Sequence, residues 1–280
     1  MPAPRLSSFQ NQIASLRMRE HDAIELPSAP FDAIAPMQGL SNYLPTVGAI
    51  VLGAAIALGV VASGVGTPVL VAMLVALIGG RIVPSFTRNW LMQMKSPALP
   101  APIDRLDHFG LALTVAGMAA WVVAPDHVAS GSLLVAAGLS TLVRLGRWRG
   151  ARTGAEALVW ILHVGIAWLG VGKILLGLSV LTPAAPVSMA THALTAGAIG
   201  VMTLAVMTRA TLGHTGRERT AGAATLAIYV LVNLAAAVRV AAGLIPEHQI
   251  VLLGASGLLW AGAYGGFALA YGPLLIGPKR

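Results

Sequence analysis

Residues 189–217 read MATHALTAGAIGVMTLAVMTRATLGHTGR, a hydrophobic run that begins beside a histidine and ends in an arginine and a second histidine. A helix needs about 20 apolar residues to cross the hydrocarbon core of a bilayer, and this run is long enough. Ionisable side chains inside or against a bilayer are costly, which makes them candidates for function. The stretch therefore predicts a transmembrane helix that carries functional residues.

The composition of the whole chain places it among membrane proteins. Hydrophobic residues make up 56% of it and charged residues only 10%, whereas a soluble domain carries about 25% charged residues. The net charge of +8 is spread between apolar runs and forms no basic patch, so we predict no nucleic-acid binding. The absence of cysteine excludes disulfides, iron–sulfur clusters and thiolate metal sites.

Residues 1–42 are predicted to form a cytoplasmic tail. Four apolar residues recur there at helical spacing, which indicates a short amphipathic helix on the inner membrane surface: Leu6, Phe9, Ile13 and Leu16. A tail whose periodicity is accidental remains an alternative.

Eight apolar segments follow the tail and predict an all-α fold, a polytopic transmembrane helix bundle of about eight spans. They occupy residues 43–63, 67–86, 107–124, 129–145, 155–178, 187–211, 219–243 and 249–273. The third and fourth are the shortest for a span. Together they predict one transmembrane domain over residues 43–275.

The distribution of lysine and arginine predicts the orientation of these spans. Fifteen of the 18 basic residues lie in the tail, in alternate connections and at the C-terminus, and the intervening loops contain none. Because basic residues accumulate on the cytoplasmic side, both termini are predicted to be cytoplasmic. Membrane lipid is therefore the first expected partner.

The buried histidines are candidate ligands for a metal or cofactor. The helical rise places His163 near the cytoplasmic side with Met202 at a similar depth, and His192 near the outer face. The two histidines come out about 10 Å apart in depth, which disfavours their binding one iron, so His163 with Met202 fits the depths better. The alternatives are a helix-bridging hydrogen bond for His163 and a capping role for His192.

The cations within the spans allow several roles. Arg81 is expected to pair with a backbone carbonyl or a carboxylate group of a cofactor. Lys173 and Arg239 are expected to extend towards the outer surface. Together these three cations also fit a second hypothesis, a module that transports or binds a small molecule or anion. No catalytic set is recognisable, so enzymatic activity is left open.

Three stretches resemble the NnrS family, bacterial inner-membrane proteins linked to nitric oxide metabolism. They are GGRIVPSFTRNWL (79–91), WILHVGIAWLG (160–170) and HALTAGAIGVMTLAVMTRATLGHTGR (192–217). Family members are described as haem- and copper-containing and protective against nitrosative stress, so the resemblance implies haem and copper here. It implies five cofactor-binding positions, with the first two as metal ligands: His163, His192, His214, Arg81 and Arg209.

The N-terminal part departs from the family pattern. Typical members have additional N-terminal spans with a histidine-containing helix motif, and the first forty residues here match nothing in the family. A separate subunit that supplies the missing helices is therefore an expected partner. The other expectation is a truncated relic that binds no cofactor.

Overall fold

The computed structural model describes residues 66–277, and within them every regular element is helical. Helices long and apolar enough to cross a membrane account for seven spans in this part of the chain. They comprise α1 (Gly66–Gln93), α2 (Arg105–Val123), α3 (Val128–Arg147), α4 (Ala157–Leu181), α5 (Val187–His192) continued by α6 (Gly200–His214), α7 (Ala223–Ala241) and α8 (Gln249–Ile276). The predicted all-α polytopic bundle is confirmed.

The last seven predicted spans correspond to these seven spans, including the two short ones. The first predicted span, 43–63, and the predicted tail, 1–42, lie outside the described residues. The second span ends later than expected, since α1 continues through Pro84 to Gln93.

Side-chain caps fix where two helices begin. Asp104 accepts a hydrogen bond from the Leu106 amide, and Asp107 accepts one from the Asp104 amide, which together form a capping box at the start of α2. Glu156 caps α4 in the same manner by accepting from the Leu158 amide at 3.0 Å. These carboxylates satisfy amides that have no partner inside the helix.

Glycines allow α4 to pack closely against its neighbours in the centre of the bundle. A Cβ atom built on Gly138 of α3 would lie 2.6 Å from the carbonyl oxygen of Gly170. One built on Gly177 would lie 2.5 Å from the carbonyl oxygen of Gly131. The two backbones can approach this closely only because these positions carry no side chain, as is common between membrane helices.

A π-helical segment, Ala193–Ile199, joins α5 to α6 within one span. Such segments insert an extra residue into a helix and occur often at functional sites. The span ends in a Schellman motif, in which the Arg217 amide donates to the Leu212 carbonyl and Gly216 adopts a φ of 71°. Gly216 therefore supplies the left-handed conformation that this helix end requires.

Candidate functional site

His163 connects α4 to α1 through Nε2, while its Nδ1 contacts a carbonyl of its own helix. Its Nδ1 lies 3.2 Å from the carbonyl oxygen of Val159, and its Nε2 lies 3.1 Å from the hydroxyl of Thr87. Gly150 covers the ring, because a Cβ atom at that position would lie 2.6 Å from the imidazole Cγ. The imidazole is buried and fully engaged, so a metal could reach Nε2 only by displacing Thr87.

His192 lies at the other end of the bundle, at the start of the π-helical segment, and is half-buried. Arg239 of α7 donates from Nε to His192 Nδ1 at 3.3 Å. Because an arginine cannot accept this bond, the neutral imidazole carries its proton on Nε2. A metal bound at Nε2 needs the other tautomer, so Arg239 must first leave Nδ1.

The packing of α4 against the π-helical segment gives the separation of the two histidines. Gly172 packs against Leu194, which places His192 level with Ile174, about 11 residues beyond His163 and roughly 17 Å along the helix. The expected separation of about 10 Å was too small, because α4 has 25 residues and is longer than the core of about 30 Å. These two histidines do not bind one iron in this arrangement.

Met202 reaches the predicted depth but lies on the wrong side of α4. Its Cγ would be 2.6 Å from a Cβ atom on Gly165, so Met202 is nearly level with His163. Two residues along a helix are about 200° apart around its axis. Met202 therefore packs on the side of α4 opposite to His163.

The remaining candidates occupy separate places. Arg209 stacks over Phe86, with its guanidinium carbon 4.1 Å from the ring centroid, and so contacts α1 next to Thr87, the partner of His163. His214 is exposed at the end of α6. Arg81 lines a cleft between α1 and α2. The structure thus connects both Arg209 and His163 to consecutive residues of α1, and it places His214 and Arg81 elsewhere.

Lys173 does not extend to the surface, so that expectation was wrong. Its side chain is 0% exposed, and Nζ donates to the hydroxyls of Thr114 at 3.0 Å and Thr141 at 2.6 Å. Each threonine donates its own proton to a carbonyl one turn earlier in its helix, which leaves the oxygen free to accept. Lys173 therefore joins α2, α3 and α4 inside the bundle.

An ion-pair network links the N-terminal end of α2, which supplies the carboxylates, to the C-terminal end of α3, which supplies the arginines, and sequence reasoning missed it. Arg144 Nε lies 2.9 Å from Asp107 Oδ1, and both side chains are buried. Arg147 binds both carboxylate oxygens of Asp104. The hydrogen bond from Arg147 lowers the pKa of the exposed Asp104 carboxyl to about 2. Opposite charges at adjoining ends of consecutive helices were the available signal.

Within residues 66–277, no group of three or more His, Cys, Asp or Glu side chains is arranged to hold a metal ion. A metal at either candidate histidine would thus need additional ligands from outside this part of the chain, from the cofactor itself or from a residue such as methionine.

A family model described as NnrS protein matches residues 34–279. No curated protein and no solved structure matches the chain. The matched range includes all seven described spans and each of the five candidate residues.

Proposed function

Because the chain belongs to the NnrS family, we propose that it is a multi-pass protein of the bacterial inner membrane that binds haem, and copper, in the response to nitric oxide. The alternation of basic and uncharged loops supports an orientation with both termini in the cytoplasm. The family match carries the assignment, and the geometry of the two histidines suggests how the cofactor is held.

His192 is the better of the two candidate ligands. It is half-buried at one end of the bundle, whereas both nitrogens of His163 contact α1 and α4 within a packed interior. His192 becomes a ligand through Nε2 when Arg239 leaves Nδ1. The released guanidinium is then a suitable partner for a carboxylate such as a haem propionate.

Both ring nitrogens of His163 are already bonded within the bundle, and residues 66–277 place His192 in no group of three or more His, Cys, Asp or Glu side chains that could hold a metal ion. We therefore assign His163 a structural role between α1 and α4. Further ligands would come from a methionine, from residues outside 66–277 or from a separate subunit. Bound haem would supply the coordination site for nitric oxide, and the chain would supply His192 as a ligand and Arg239 as a cationic partner.

An absorption spectrum with iron and copper analysis tests this proposal on the full chain, purified in detergent from haem-replete cells. We expect a haem spectrum that His192→Ala abolishes or shifts, because alanine has no group that can bind the metal. His248→Ala is the matched control, since His248 is exposed just before α8 and is not among the candidate ligands. A metal-free wild type, or a His192→Ala spectrum identical to wild type, would overturn the proposal.

The variant His163→Ala tests whether the two histidines have different roles. If His163 is structural, the variant loses thermal stability while its folded fraction keeps the wild-type spectrum. A changed spectrum in folded protein would return His163 to the set of ligands.

The transport alternative is not favoured by the positions of its three cations. Lys173 is enclosed among α2, α3 and α4, Arg239 binds His192 on α5, and Arg81 lies in the cleft between α1 and α2. A transport path would need these groups to line one continuous route.

A further inference from the structure

A small cleft that opens to the surface lies between α1 and α2, with α3 contributing to its lining. We name it the α1–α2 cleft. Its polar residues are Arg81 of α1, Asp107 and His108 of α2, and Arg144 of α3, and its remaining lining is apolar apart from Gly80. The α1–α2 cleft thus combines charged side chains with an apolar lining.

The charged side chains that line the cleft, two arginines and one aspartate, give it a net positive charge. Arg144 is paired with Asp107 at 2.9 Å, and its guanidinium lies against Gly80, where a Cβ atom would be 2.8 Å from Nη2. Arg81 takes part in none of the ion pairs found within residues 66–277. The guanidinium of Arg81 is therefore the group in the cleft with unused capacity for an anion.

His108 adds a second polar contact at the same place. Its Nδ1 donates to the Asp104 carbonyl at 2.8 Å, which orients the ring and leaves Nε2 for a ligand. An acidic or hydroxyl-bearing group next to Arg81 can form a hydrogen bond with this Nε2.

The surroundings of the cleft are apolar and open to the bilayer. Ile78 and Ile82 of α1 are 48% and 37% exposed, and Ile103 and Phe109 on the α2 side are 50% and 62% exposed. These side chains would contact acyl chains in a membrane. The cleft also lies at the end of the bundle where the basic residues of α3 are found, the side that is proposed to be cytoplasmic.

We propose that the α1–α2 cleft binds the phosphate group of an anionic phospholipid from the inner leaflet. Arg81 contacts the phosphate, His108 contacts the adjoining polar headgroup, and the acyl chains lie against the exposed isoleucines of α1. Basic pockets between membrane helices on the cytoplasmic side commonly bind such headgroups. The lipid site is independent of the proposed haem site, because Arg81 and His192 lie in different parts of the bundle.

Native mass spectrometry of the full-length protein tests this proposal. Delipidated protein in detergent is titrated with phosphatidylglycerol or with phosphatidylcholine of the same acyl chains. We expect tighter binding of the anionic lipid and a loss of about five-fold in affinity for Arg81→Gln, the effect of one cation near a lipid phosphate. Arg88→Gln is the matched control, because Arg88 is exposed on the same helix and does not line the cleft.

Two further variants and a competitor decide the outcome. Arg81→Lys should keep most of the preference for anionic lipid, and His192→Ala should keep all of it even if it abolishes haem binding. Equal affinities of wild type, Arg81→Gln and Arg88→Gln would overturn the proposal. Displacement of the lipid by millimolar inorganic phosphate would also overturn it, since the site would then bind free phosphate.

Discussion

Replacing Thr141 with valine removes the hydroxyl that accepts the shorter hydrogen bond of Lys173, at 2.6 Å. A buried hydrogen-bond donor that loses its partner costs about 1–3 kcal/mol. Thr141→Val should therefore destabilise the protein by about 1–3 kcal/mol, and the double change with Thr114→Val by about 2–6 kcal/mol. In a domain of this size, that corresponds to a drop in Tm of about 2–4 °C per kcal/mol.

The same threonine substitutions in a Lys173→Met background test whether their effect depends on the lysine. Lys173→Met replaces the amine with an apolar chain of similar length and leaves both threonine hydroxyls bonded to their own helices. Replacing a buried charge with a well-packed apolar group is often neutral or stabilising. In a Lys173→Met background, the threonine substitutions should thus lose most of their effect.

Thermal unfolding in detergent, followed by tryptophan fluorescence, measures both backgrounds. Thr191→Val is the matched control, because Thr191 makes the same bond to a carbonyl one turn earlier but is exposed. Equal destabilisation by Thr141→Val in the wild-type and Lys173→Met backgrounds would refute the reasoning, since the coupling energy would then be zero.

Three other results are expected from the described contacts. Gly216→Ala should lower stability by about 1 kcal/mol in thermal unfolding, because Gly216 has a φ of 71° and alanine disfavours it. Asp104→Asn should slightly destabilise the protein above pH 4, because pairing with Arg147 lowers the pKa of Asp104 to about 2. The difference in stability from wild type should vanish as the pH falls towards 2. A difference that stays constant across this pH range in unfolding curves would contradict the prediction. Arg239→Gln should raise the Nδ1-protonated fraction of His192 in ¹⁵N NMR spectra, because glutamine has an oxygen that can accept from Nδ1; an unchanged tautomer ratio would argue against the bond.

The sequence was sufficient to predict the spans because hydrophobic length is a direct physical requirement of the bilayer. The alternation of charged and uncharged loops supported the division into spans, including the short α2 and α3. The extent of α1 was missed, since the predicted span followed the apolar run to residue 86, whereas the helix continues to Gln93.

The sequence predicted the depth of a side chain in the membrane better than the direction in which the side chain points. The sequence placed Met202 at the level of His163, but the rotation of α4 that separates them depends on packing against glycines. Lys173 was expected at the surface because lysine often extends to the interface. Its two partners lie 59 and 32 residues away in the chain, and a spacing of that size carries no signal in a single sequence.

The position of Lys173 in the chain has a consequence for biosynthesis. An isolated lysine near the centre of a helix raises the cost of membrane insertion by about 2.5–3.5 kcal/mol. Both of its hydroxyl acceptors, Thr114 and Thr141, are synthesised earlier, in the two helices that precede α4. When α4 is synthesised, α2 and α3 and their two threonine hydroxyls have already been synthesised. The order of synthesis therefore provides hydrogen-bond acceptors for the Lys173 amine by the time α4 enters the bilayer.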